Sequence, residues 1–280
     1  MLVRLRVPQT LSEIKTLLTS HGLTPRKMFG QNFLHDHHHI ERIVEAAELD
    51  ESDTVLEVGP GTGTLTGQLI ASRTRVVAVE IDRGLVPVLR ELYGQDSDKF
   101  QLINDDVLAS KRSLNTQIED AVGGRTQPFK LIANLPYNVA SPLLATLVTD
   151  WPGMELAIIM VQREVGDRLN ASPGTKAYGP LGILVQALCE VDFVSTLPPS
   201  CFWPAPKVES AVIRVRRSAT PMTDDIQGFS KFVHTVFEKR RKQLGSVLGR
   251  DFPFPDDIDP KIRAERLSVS DLVRLSERAS

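Results

Sequence analysis

Four short segments bring together residue types that can hold a ligand and carry out a transfer. The first is Glu57-Val-Gly-Pro-Gly-Thr-Gly63, which closes the apolar run Thr54–Val58. Its glycines, Gly59 and Gly61 among them, let the backbone turn tightly and come close to a ligand, and the helix that follows opens with unpaired N–H groups. The spacing is GxGxG, so it is neither the GxGxxG of dinucleotide binders nor a P-loop, because no Gly-Lys-Ser/Thr follows. Seventeen residues after Gly63, Glu80 ends the run Val76-Val-Ala-Val-Glu80, where a carboxylate can accept both hydroxyls of a ribose. Asp106, in Asn104-Asp-Asp-Val-Leu108, follows a third apolar run and can accept the exocyclic amine of an adenine. Asp82 and Asp106 could each instead cap a helix. The loop, Glu80 and Asp106 in register after successive strands specify an adenosine-bearing ligand with no phosphate requirement. S-adenosylmethionine fits that description better than NAD.

The fourth segment is Asn134-Leu-Pro-Tyr-Asn138, at the end of the run Lys130–Ala133. An adenine N6 is a poor nucleophile because its lone pair is delocalised into the ring. Two acceptors on its N–H groups, the Asn134 side-chain oxygen and a backbone carbonyl at Leu135 or Pro136, would draw it toward tetrahedral geometry. No strong base is then needed, which suits a neutral amide, and catalysis rests on positioning and electrostatics. Pro136 fixes its own φ and keeps Leu135 out of the helical region, which stiffens the loop. Tyr137 can stack on a base taken out of its helix.

The elements that must position these residues are strands alternating with helices. Strands are expected at Thr54–Val58, Arg75–Ile81, Phe100–Asn104, Phe129–Ala133 and Leu156–Val161, with helices at Leu65–Ala71 and Leu85–Tyr93. That alternation predicts a Rossmann-like α/β fold, a mostly parallel sheet with helices on both faces. Upstream lies an amphipathic stretch through Leu11, Ile14, Leu17 and Leu18, and a helical period resumes at Ile40. Near the end, Val208–Arg216 alternates like a half-exposed strand and Arg217–Thr223 reads as a linker. Helical periods follow at Ile226–Phe237, Gln243–Leu248, Pro260–Glu265 and Ser270–Ala279. Three parts are expected: a basic N-terminal segment over 1–34, a catalytic domain over 35–217, and a small helical domain over 218–280.

Composition sets outer limits. The 280 residues suffice for one large domain and a small one, and the net charge of −2 excludes a uniformly basic chain. Charge is nonetheless uneven: residues 1–34 hold five basic and one acidic residue, 35–202 hold 13 and 23, and 203–280 hold 15 and 11. Arg26, Lys27 and the run Lys239–Lys242 are candidate phosphate contacts on either side of an acidic middle. No apolar run approaches a membrane span, and Met1–Pro8 lacks a signal-peptide core. With only Cys189 and Cys201 present, no disulfide framework is expected, and a cytoplasmic location follows. The run His37-His-His39 points its side chains in different directions on a helix and predicts no metal site.

Taken together, the motifs resemble those of the small-subunit ribosomal RNA adenine dimethyltransferases. The likeness runs through Lys27-Met-Phe-Gly-Gln-Asn-Phe-Leu34, the glycine loop, Val79-Glu80, Asp106, Asn134–Tyr137, Phe202-Trp-Pro-Ala-Pro-Lys-Val-Glu-Ser210 and Arg240-Arg-Lys242. It implies S-adenosylmethionine as methyl donor and two successive N6 methylations on each of two adjacent adenines near the 3′ end of 16S rRNA. It implies that Asn32, Leu34, Gly59, Gly61, Glu80, Asp106 and Asn134 hold the cofactor, and that Phe202 walls the base pocket opposite Tyr137. It further implies a monomer without metal. The family pattern departs after Arg240-Arg-Lys242, where Gln243-Leu-Gly-Ser-Val-Leu248 replaces a segment ending Asn-Ser-Leu. Two alternatives stand beside this reading: a 23S rRNA dimethyltransferase of the antibiotic-resistance type, and a ribosome-assembly factor that acts by binding.

Overall fold

In the computed structural model, residues 9–95, 98–110 and 113–279 are described, with the side chains of residues 137 and 138 outside the description. The opening segment 1–8 therefore lies outside the described residues. The chain begins with α1 (Leu11–Ser20), the short strand β1 (Phe33–Leu34) and α2 (His37–Ala46). An alternating run follows: β2 (Thr54–Val58), α3 (Thr64–Ala71), β3 (Arg75–Val79), α4 (Leu85–Tyr93) and β4 (Phe100–Ile103). A small ribbon, β5 (Leu108–Ser110) and β6 (Ser113–Leu114), leads to α5 (Thr116–Val122). Then come β7 (Phe129–Asn134), α6 (Tyr137–Asp150), β8 (Met154–Gln162), α7 (Arg163–Leu169) and α8 (Pro180–Leu188). The last strands are β9 (Cys189–Leu197), β10 (Phe202–Trp203) and β11 (Ser210–Arg217), followed by α9 (Ile226–Glu238), α10 (Leu244–Leu248) and α11 (Val269–Glu277).

Seven strands form the main sheet in the order β4-β3-β2-β7-β8-β11-β9. The first five run parallel, and β11 and β9 add antiparallel to β8 and to each other. Each parallel strand is apolar on both sides, and its successive residues divide between two cores. Val55, Val76, Ile132 and Ile158 meet α2, α3 and α4 on one face, while Leu56, Val77, Leu131 and Ala157 meet α5, α6, α8 and the C-terminal helices on the other. The expected doubly covered sheet is thus present. The chain moves outward from β2 through β3 to β4, then restarts on the other side of β2 with β7. Ligands of open α/β sheets bind at the carboxyl ends of strands flanking such a reversal. Here those ends carry the glycine loop and Asn134.

Two sequence expectations need correction. Pro260–Glu265 is not a helix; only a single short turn, Ala264–Arg266, is helical there. Asp259 instead closes a local turn, its carboxylate accepting from the Lys261 N–H at 2.9 Å. Arg217, read as the start of a linker, is the last residue of β11. Its guanidinium donates to the carbonyls of Leu147, Val148 and Trp151 around the end of α6 and of Met154 at the start of β8, and so ties the two together.

Candidate active site

The glycine loop is built from backbone that side chains would obstruct. Gly61 has φ +62°, and a Cβ there would lie 3.1 Å from two ring carbons of Phe33. Gly63, at φ +83°, is packed so tightly that a Cβ would sit 2.4 Å from the Tyr93 ring. Tyr93 in turn donates its hydroxyl to the Gly63 carbonyl at 2.6 Å. The loop is therefore gripped from behind by α4 and overlaid by Phe33, and its Gly59 and Gly63 N–H groups are tied to the Val79 and Pro60 carbonyls at 2.9 Å each.

Glu80 follows directly on β3, lines the cavity beside this loop and is 4% exposed. One of its carboxylate oxygens accepts from the Gly61 N–H at 3.1 Å and the other from the Asp82 N–H at 2.8 Å. Burial, with a smaller contribution from the Asp82 charge, pushes the carboxyl up to about 7. Glu57, the last-but-one residue of β2, lines the same cavity at 1% exposure, and its Oε2 has no hydrogen-bond partner. Burial chiefly, and the neighbouring Glu80 charge, push Glu57 up to about 8. A buried carboxylate oxygen without a partner is costly unless a donor arrives with the ligand. The sequence reading gave Glu57 no role; its signal was a carboxylate inside an otherwise apolar strand.

Asp82 explains how the motif Lys27–Leu34 is held here. It is 2% exposed and accepts from Arg26 at 2.9 Å and from Gln31 Nε2 at 2.8 Å. Arg26, a candidate phosphate contact by sequence, is thus paired within the chain, and Arg240 likewise pairs with Glu265 at 2.9 Å. Beyond this clamp, Asn32 and Leu34 reach the cavity. A second strap comes from Gln9, whose amide donates to the Thr62 carbonyl at 2.7 Å and accepts from the Thr64 hydroxyl at 3.4 Å.

Across the cavity, Asn134 donates its side-chain N–H to the Asn32 carbonyl at 3.0 Å. With the nitrogen held there, the amide oxygen is the part of the group left to accept. The Leu135 N–H donates to Met160, and the Pro136 carbonyl accepts from Val139 at 2.9 Å and Ala140 at 3.2 Å in the first turn of α6. Of the two backbone acceptors left open by the sequence, Pro136 is therefore engaged by the helix. Tyr137 opens α6, and its side chain lies outside the described residues.

One cavity thus gathers Asn32, Leu34, Gly59, Gly61, Glu80, Asn134, Leu135 and Pro136. Asp106 sits in an adjoining cavity with Met28, Ile81 and Val139; its carboxylate accepts from the Leu108 N–H at 2.9 Å. Gly59 and Pro136 line both cavities, so the two adjoin there. Phe202 lines neither. It is 4% exposed within the core beneath α2, and its backbone pairs antiparallel with Leu34.

Comparison with known proteins decides what this arrangement belongs to. The family model for ribosomal RNA adenine dimethylase matches residues 22–279. The chain belongs to that family. It is 37% identical to ribosomal RNA small subunit methyltransferase A of Streptococcus thermophilus, over 95% of this chain and 96% of that one. With the protein of the same description from Corynebacterium efficiens it shares 38% identity, over 94% of each. Among solved structures it resembles the 23S rRNA methyltransferase ErmE at 26% identity and a TM-score of 0.68, covering 88% of this chain and 99% of that one. As a ribosomal RNA adenine dimethylase, the chain is an S-adenosylmethionine-dependent methyltransferase. The cavity fits such a donor. Glu57 offers an unpartnered buried acceptor to a cationic ligand, and the glycine loop lines the same cavity beside it.

Proposed function

We propose that this dimethylase transfers methyl groups to N6 of two adjacent adenines near the 3′ end of 16S rRNA, in the small ribosomal subunit. The observation that carries the reading is the Asn134 amide, fixed by Asn32 at the rim of the cavity that holds the glycine loop and Glu80. S-adenosylmethionine, when bound, supplies an electrophilic methyl on a sulfonium. We assign its ribose to Glu80, its adenine to Asp106, and its cationic methionine end to Glu57, with Asn32, Leu34, Gly59 and Gly61 forming the bed.

Asn134 Oδ1 and the Leu135 carbonyl then accept the two N6 hydrogens of the target adenine, which localises the lone pair on nitrogen. Pro136 holds Leu135 in an extended conformation, and its own carbonyl anchors α6. We assign one wall of the base pocket to Tyr137, where α6 begins; Phe202, buried beside Leu34 and lining neither cavity, backs the ribbon that borders the site. No residue needs to take the N6 proton before transfer: the N–C bond would form as the methyl–sulfur bond of the donor breaks, leaving a neutral thioether, and the proton would then leave to solvent. The basic residues Lys27, Lys239, Arg241 and Lys242 are assigned to rRNA phosphates. No helix among the described residues is long and apolar enough to cross a membrane. The chain is assigned to the cytoplasm, as a monomer working on the subunit during ribosome biogenesis.

The test uses labelled methyl donor and small subunits that lack the modification. The expected product is dimethyladenosine, four methyl groups per subunit, mapped to adjacent positions near the 3′ end of 16S rRNA. Dimethyladenosine in 23S rRNA alone would move the reading to the resistance type. No methylated nucleoside from protein with cofactor demonstrably bound would overturn catalysis in favour of a binding role.

A further inference from the structure

Behind the site, Asp36, His39 and Cys201 bring three different donor atoms to one point, all within 4.8 Å of one another. His39 Nδ1 lies 2.8 Å from Asp36 Oδ1 and 3.6 Å from Cys201 Sγ. In a tetrahedral zinc site, bonds of about 2.3 Å to sulfur and about 2.0 Å to nitrogen put those two atoms about 3.5 Å apart. The sulfur–nitrogen edge is therefore already at metal-site length. The oxygen–nitrogen edge needs to open by about half an ångström, a small rotation of the half-buried Asp36 side chain.

Backbone contacts hold each donor independently. Asp36 is the N-cap of α2, and its carboxylate accepts from the His39 N–H at 3.0 Å, which fixes the Asp–His spacing. Cys201 ends a short helical turn, and its carbonyl accepts from the His35 N–H at 3.0 Å. The side chains of His39 and Asp36 are 16% and 37% exposed while Cys201 is 3% exposed, so a fourth position faces solvent.

We propose that Asp36, His39 and Cys201 form a binding site for a borderline-soft divalent cation, Zn²⁺, with water in the fourth position. One sulfur, one nitrogen and one oxygen suit zinc; Mg²⁺ and Ca²⁺ require mostly oxygen ligands. Binding releases the Cys201 thiol proton to solvent, and the imidazole proton of His39 sits on Nε2 so that Nδ1 is free for the ion. The ion would cross-link α2 to the turn before β10. That clasps β1, which carries Leu34, to β10, which carries Phe202.

The experiment titrates untagged full-length protein with ZnCl₂ and, separately, CoCl₂. One Zn²⁺ per chain is expected, with Tm about 5 °C higher at a hundredfold excess over Kd. Co²⁺ should show a near-ultraviolet sulfur-to-cobalt charge-transfer band. The band and the Tm shift should vanish in Cys201→Ser and in His39→Gln, and persist in Cys189→Ser and in His37→Gln/His38→Gln. Less than a tenth of an equivalent of Zn²⁺ bound would overturn the site. Binding unchanged in Cys201→Ser would overturn it too, assigning the ion to the surface histidines. Because metal content and the cobalt spectrum are read without methyl transfer, failure here leaves the reading of the active site standing, and the reverse also holds.

Discussion

The reacting centre proposed at Asn134 relies on an amide that does not titrate, while Glu57 and Glu80 in the same cavity are carboxyls that do. Removing the Asn134 side chain deletes one oriented acceptor and leaves most of the cofactor bed intact. Asn134→Ala is expected to lower kcat by about 10²- to 10³-fold. Cofactor Kd, read by calorimetry, should rise only about threefold, about 0.7 kcal/mol, through loss of the tie to Asn32. Glu57 and Glu80 give the ligand-free protein a distinct pH dependence. Each starts from an ordinary value of 4.5 and is raised in the folded chain, to about 8 and about 7. The folded state thus binds more protons than the unfolded state across that interval. The stabilisation is fully present below about pH 4.5 and is lost as pH rises through 8. Carboxyls held low, such as Glu48 beside Arg216, act in a separate window below 4.5. Thermal unfolding between pH 5 and 8 should therefore show Tm falling, with a shallower fall in Glu57→Gln. Cofactor affinity should climb over the same range in the native protein as Glu57 ionises, and stay flat in the variant. A Tm that rises from pH 5 to 8 in both proteins would remove Glu57 from the account.

The elements divide into those whose order is local and those made by distant pairing. The parallel strands were legible because each is a short apolar run bounded by turn residues. Their ends carry Gly59, Glu80 and Asn134 in chain order, so much of the site could be read from them. The β1–β10 ribbon was not legible: two-residue strands have no periodicity, and Leu34 meets Phe202 only after the sheet has folded. The Arg26–Asp82 pair was hidden for the same reason, which is why Arg26 read as a phosphate contact. Pro260–Glu265 shows the opposite failure, an apolar spacing that suggested a helix where turns prevail. The ribbon places Phe33 over Gly61, and that contact can be probed. Gly61→Ala puts a Cβ 3.1 Å from the Phe33 ring at a φ of +62° that alanine disfavours by about 1–2 kcal/mol. Cofactor Kd is expected to rise about 5- to 30-fold as the loop or the ring shifts. Gly22→Ala, at a similar φ of +64° but with nothing within 4 Å, carries the same backbone strain away from the cavity. It should lower Tm without changing Kd, and equal effects on Kd would refute the steric argument.

Over the whole molecule, the helical end and the sheet share one apolar core. Phe229 and Val233 of α9 and Leu272 of α11 belong to the same cluster as Ile183 of α8, Leu143 of α6 and Leu131 of β7. Polar ties follow the same path: Tyr178 donates its hydroxyl to the Leu267 carbonyl at 2.8 Å, and Gly174 donates to Glu265 at 2.6 Å. A chain whose sequence reads as a catalytic part and an appended helical part is thus expected to unfold as one unit. Phe229 is fully buried, so Phe229→Ala should cost about 3–5 kcal/mol through lost transfer energy and the cavity left behind. The two tryptophans make the coupling measurable, because Trp151 lies in the shared core and Trp203 stacks on Phe33 at the cofactor end, ring centroids 6.4 Å apart. In a Trp151→Phe background, Trp203 fluorescence reports the cofactor end while far-ultraviolet circular dichroism is weighted toward helix. If the core is shared, Phe229→Ala moves both denaturation midpoints down together, though Trp203 lies on the far face of the sheet. Loss of helical signal ahead of any change at Trp203 would mean that residues 218–280 fold as a separate body, held to the sheet by contact alone.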